Sequence, residues 1–79
     1  MYLYFQRSNG DLVLVSEKAD RDNAIDLINE DLKKRNPKFK VYYIRSMKLT
    51  AGTQYDVGSW TEFYWLLPNK PTKNSINDI

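Results

Sequence analysis

The chain has 79 residues and a net charge of +2, which allows one domain close to the lower size limit for a self-supporting core. It contains neither Cys nor His, which excludes disulfides, thiolate or imidazole metal sites and the commonest general base. Acidic and basic residues are interspersed, which disfavours a strongly acidic nucleic-acid mimic and a dedicated duplex binder alike.

Residues 2–7 and 11–17 read as two strands around Asn9-Gly10, a dipeptide suited to a type I′ turn. A two-residue turn pairs Ser8 with Asp11 and Phe5 with Leu14. One face then carries Leu3, Phe5, Leu12 and Leu14, and the other carries Tyr2, Tyr4, Val13 and Val15. Asp20 or Asp22 can cap a helix running to about Arg35, with Ala24, Ile25, Leu27, Ile28 and Leu32 as its apolar stripe. Lys33, Lys34 and Arg35 suit the negative end of the helix dipole, and Asn36-Pro37 stops the helix, Asn being tolerant of a left-handed terminal residue.

Residues 38–49 are expected as a third strand, Ala51-Gly52-Thr53 as a loop, and residues 55–67 as a long fourth strand bent or bulged at Gly58-Ser59. Residues 1–67 thus form a single small domain. Residues 68–79 hold few apolar side chains and are expected as a mobile C-terminal tail. The expected fold class is α+β, two-layer β-β-α-β-β, with a four-stranded, mainly antiparallel sheet and one helix on one face. No apolar run is long enough to span a bilayer, and no signal peptide is evident. The lack of Cys fits a cytoplasmic protein better than a small secreted one.

Nothing in the chain has the spacing of a nucleophile with its base, and no glycine-rich phosphate loop occurs. No catalytic residue, metal site or cofactor is assigned, and the protein is expected not to be an enzyme. Arg45 is expected to pair with Glu62 or Asp56 across the last strands. The chain has two Trp, six Tyr and three Phe, and a single helix can cover only one sheet face. Aromatics on the second face therefore point to an interface. The candidate binding residues are Tyr2, Tyr4, Tyr43, Arg45, Trp60, Glu62 and Tyr64.

Three stretches, Tyr2-Leu3-Tyr4-Phe5 before Asn9-Gly10, Lys40 to Ser46, and Tyr55-Asp56-Val57-Gly58-Ser59 followed by Thr61-Glu62-Phe63, carry a resemblance. Over Tyr2 to Leu67 the chain resembles small uncharacterised accessory proteins of phages and prophages of Gram-positive bacteria. The resemblance implies a protein acting in the cytoplasm of an infected bacterium, where it binds and inhibits a host or defence protein. The main alternative is an oligomeric sponge for a nucleotide-type small molecule, in which aromatics stack on a base while Arg45 and lysines meet phosphates. A virion component and a single-stranded nucleic-acid binder follow. The uncovered sheet face also points to a homo-oligomer.

Overall fold

The computed structural model describes residues 1–38 and 44–79. Its strands are β1 (Tyr2–Gln6), β2 (Leu12–Ser16), β3 (Arg45–Lys48), β4 (Thr53–Asp56) and β5 (Phe63–Leu67), with one α-helix, α1 (Ala24–Arg35), and a short 3-10 turn at Ile76–Asp78. The strands form one antiparallel sheet in the order β2-β1-β5-β4-β3. The fold is α+β, but with five strands among the described residues where four are expected. The expected strand 55–67 is two strands that pair with each other, with Asp56 opposite Phe63. Gly58, at φ +88°, donates its N–H to the Asp56 carboxylate at 2.9 Å. That local turn ends β4, so the glycine breaks the strand rather than bending it. Of the strand expected over 38–49, the described part is confined to Arg45–Lys48; Tyr43 and the rest of 39–43 lie outside the described residues.

The first hairpin forms where expected but in a different register. Gly10 donates to the Arg7 carbonyl at 2.9 Å, Arg7 donates to the Asp11 carbonyl at 2.8 Å, and Gly10 sits at φ +94°. These bonds define a three-residue loop ending in a left-handed glycine, a common alternative to the two-residue type I′ turn. The pairing becomes Phe5 with Val13 and Tyr4 with Leu14. Because side chains alternate along a strand, one residue of slip exchanges the faces of β2. Leu12 therefore joins Tyr4 rather than Phe5. An irregularity between Leu3 and Tyr4 then shifts the pairing, and Val15 packs on the core beside Leu3 and Phe5.

The turn leading into the helix is closed by a reciprocal cap that begins three residues ahead of Asn23, which itself makes no side-chain cap bond to the helix. Asp20 accepts hydrogen bonds from the backbone N–H groups of Asp22 and Asn23, while the Asn23 side chain accepts from the Asp20 N–H at 2.7 Å. This is the geometry of a capping box with Asn in the returning position. Ala24, Ile28 and Leu32 recur every fourth residue and are buried, Leu27 packs beside them, and Ile25, expected in the stripe, is exposed. Asn36 ends the helix with its N–H on the Leu32 carbonyl at φ −147°. It is extended and not left-handed, as the clash with the Pro37 ring requires of the residue before it.

Two apolar clusters lie on opposite sheet faces. The helix covers Leu3, Phe5, Tyr55, Tyr64 and Leu66. On the other face Tyr4, Leu12, Trp65 and Leu67 are buried, with Tyr2, Ile76 and Ile79 packed against them. The cover of the second face is thus the chain's own C-terminal segment. Residues 68–79, expected as a mobile tail without structure of its own, are anchored by several contacts. Leu12 N–H donates to the Asn74 carbonyl and Ile76 N–H to the Gly10 carbonyl, each at 2.7 Å, and Lys70 pairs with Glu17 at 2.7 Å. Gly10 is required twice over. Its φ is positive, and a Cβ there would stand 2.9 Å from Ile76 Cγ2.

Candidate functional site

The structure distributes the described candidate residues among three settings, Tyr43 lying outside the described residues. Tyr4 and Tyr64 are buried at 2% and 0% exposure, so neither offers a binding surface. The Tyr64 hydroxyl donates to the Asp31 carboxylate at 2.6 Å across the helix–sheet interface, and its ring lies 5.2 Å from that of Phe5. Burial pushes the Tyr64 phenol far above its ordinary pKa, and the bond to Asp31 acts in the same direction. Tyr2 is half-buried beneath the C-terminal segment, with the Lys70 ammonium 5.4 Å from its ring centre. These residues are core, and the face assigned to an interface is closed within one chain. The reason for expecting a homo-oligomer goes with it.

Arg45 pairs with Asp56, directly opposite on β4, at 3.7 Å. Both side chains are largely solvated, so the pair contributes at most about 1 kcal/mol. Of the two partners expected for Arg45, Asp56 takes the pair.

Trp60 and Glu62 occupy the third setting, the loop between β4 and β5. Trp60 is 96% exposed. Its neighbours are held: Gly58 is tied to Asp56, the Glu62 N–H donates to Ser59 Oγ at 3.3 Å, and Thr61 Oγ1 shares a hydrogen bond of 2.9 Å with Ser8 Oγ on the first hairpin. The loop therefore projects a large apolar side chain into water from a braced support. Hydration of that indole surface is unfavourable.

This loop forms one wall of an open cleft of about 740 Å³. The first hairpin contributes Arg7, Ser8 and Asn9, the helix end contributes Leu32, Arg35 and Asn36, and the loop contributes Val57, Ser59 and Glu62, with Phe5 at the base. Arg35 is fixed in place. Its Nε donates to the Asp31 carboxylate, and its guanidinium lies 4.1 Å from the Phe5 ring centre, a cation–π contact. Asp31 thus receives both Tyr64 and Arg35, linking core to cleft. The Ser8 hydroxyl is engaged by Thr61, and that of Ser59 by the Glu62 backbone. The cleft presents two cations, the Glu62 carboxylate, amides and apolar surface, a set suited to recognition.

Of these residues, the sequence singles out Trp60 and Glu62, offers Arg35 only within the Lys33-Lys34-Arg35 helix end, where phosphate binding is the lesser alternative to a solvated terminus, and gives no sign of Arg7, Asn9 and Asn36 as site residues. The available signal was positional: Arg7 opens a hairpin loop and Arg35 closes the helix. Their approach to the 57–62 loop follows from β1 and β5 being sheet neighbours.

Together these features define a small α+β domain with a braced tryptophan beside an arginine-bearing cleft. Comparison with protein-family models, with curated proteins and with solved structures returns no match. Among the described residues, no helix is long and apolar enough to cross a membrane.

Proposed function

We propose that the protein is a non-enzymatic binding protein that docks a partner protein through Trp60 and the adjoining cleft. The observation that carries this reading is the full exposure of Trp60 on a loop tied down on both sides. An exposed tryptophan contributes nothing to folding, whereas buried at a contact it is among the strongest single anchors. A braced loop also loses less entropy on binding than a mobile one. On the resemblance read in the sequence, to small phage accessory proteins, the proposed partner is a host or defence protein of a bacterium, with inhibition as the proposed outcome and the cytoplasm as the proposed place.

The alternative, an oligomeric sponge for a nucleotide, draws less support. It needs exposed aromatics from several copies, whereas Tyr4 and Tyr64 are buried and Arg45 faces Asp56.

The test uses wild type and Trp60→Ala as paired baits in bacterial lysate, with native mass spectrometry of the captured material. A polypeptide should be retained by wild type and reduced at least about tenfold on Trp60→Ala, as for an interface anchor, while both baits melt at the same temperature. Identical capture by the two baits overturns the assignment. A co-purifying mass of nucleotide size in place of a polypeptide selects the sponge.

A further inference from the structure

We infer that the cleft receives a carboxylate side chain from an acidic segment of the partner, gripped between Arg7 and Arg35; this rests on the docking role proposed for the Trp60 loop. Among the described residues Arg7 makes no ion pair, and Arg35 is engaged by Asp31 through Nε. Arg35 gives its Nε to Asp31 and its guanidinium also meets the Tyr64 hydroxyl, so the remaining edge of the fork is what an incoming carboxylate can use. Stacking on Phe5 holds that fork in one orientation, which lowers the entropy lost on binding.

Charge complementarity selects the occupant. Around the cleft the two guanidinium groups meet two carboxylates, Glu62 in the lining and Asp31 paired with Arg35, so the excess positive charge comes from Arg7 together with Lys33 and Lys34, exposed in the same helical turn as Arg35. The volume of about 740 Å³ exceeds that of a bare anion and holds a few side chains of a peptide segment. The apolar floor of Phe5, Leu32 and Val57 suits neighbouring apolar atoms of such a segment. A single-stranded nucleic acid fits less well. It requires a succession of stacking platforms along a basic track, and here one exposed Trp stands beside a cleft whose wall bears Glu62.

The experiment is an NMR titration of the uniformly 15N-labelled full chain with a capped octapeptide of alternating glutamate and leucine. Parallel titrations use the lysine analogue of that peptide, inorganic phosphate and an oligothymidylate of equal length. The acidic peptide should give saturable shifts at the Arg35 Nε–H and the Ser8 and Asn9 amides, and the lysine analogue none. Arg7→Gln, a change at an exposed position, should weaken peptide binding about tenfold or more, as expected for removing one member of a close charge pair, with the melting temperature unchanged. Absence of saturable shifts at these sites, or equal binding by Arg7→Gln, overturns the inference. So does tighter binding of the oligothymidylate, which makes the partner a nucleic acid, or phosphate shifts matching those of the peptide, which make the cleft a small-anion site. The docking reading is judged separately by its own baits. If a Trp60-dependent polypeptide is still retained by Arg7→Gln, docking stands and the acidic segment fails. If Trp60→Ala changes nothing in capture, docking itself fails.

Discussion

Replacing Ile76 by Ala tests whether the C-terminal segment is part of the fold. Ile76 is half-buried and packs on the cluster of Tyr4, Leu12, Trp65 and Leu67, with its Cγ2 close above Gly10. The substitution deletes the side chain beyond Cβ. At about 0.8 kcal/mol per fully buried methylene, reduced by roughly half for partial burial, the loss is about 1–1.5 kcal/mol. For a domain of this size that lowers the melting temperature by about 4–12 °C. Circular dichroism melts at two protein concentrations measure the effect. The emission of Trp65, isolated in a Trp60→Phe background, should shift to the red as water reaches the ring from the uncovered side. Truncation after Asn69 should cost more, since it also removes Ile79, the bonds at Gly10 and Leu12, and the Lys70–Glu17 pair. Unchanged melting and unchanged Trp65 emission for Ile76→Ala would refute the packing argument and return residues 68–79 to the status of a dispensable tail. A loss that depends on protein concentration would place the segment on a second copy of the chain.

Two further outcomes follow from the same geometry. Gly10→Ala should destabilise by about 1–3 kcal/mol through backbone strain at positive φ and through the clash with Ile76. Gly58→Ala, also at positive φ but with open space around it, should meet only the strain, so a urea titration should rank Gly10 above Gly58. Stability should also fall above about pH 10, because burial raises the pKa of Tyr64, Tyr4 and Tyr55 while the unfolded chain releases these protons near the ordinary value. The folded state then holds more protons than the unfolded one, so each group destabilises by up to about 1.4 kcal/mol per pH unit between its two pKa values. Tyr64→Phe should flatten the alkaline limb of a melting-temperature profile, and an unchanged limb would count against Tyr64 as its source.

What the chain determines by itself is local. The helix is legible because Asp20, the fourth-residue spacing of Ala24, Ile28 and Leu32, and Pro37 act within a few residues of one another. The first hairpin is legible because Asn9-Gly10 permits few other paths, and the α+β class follows from the order of these segments. The register is not legible, since Asn9-Gly10 serves a three-residue loop as well as the two-residue turn it favours, and that single-residue choice decides which face Leu12 joins. The division of the last strand at Gly58 depends on β4 and β5 finding each other, a contact that local propensity does not encode. The cover of the second face was hidden for a similar reason. Ile76 and Ile79 are too few to suggest a fold alone, but once Tyr4, Leu12, Trp65 and Leu67 form a preorganised surface, two side chains and a few backbone bonds suffice to close it. That closure turns the aromatic face from interface into core and leaves Trp60, among the described residues, as the exposed aromatic anchor. The cleft beside it, built from a hairpin, a helix end and a loop far apart in the chain, exists only because the sheet places β1 next to β5.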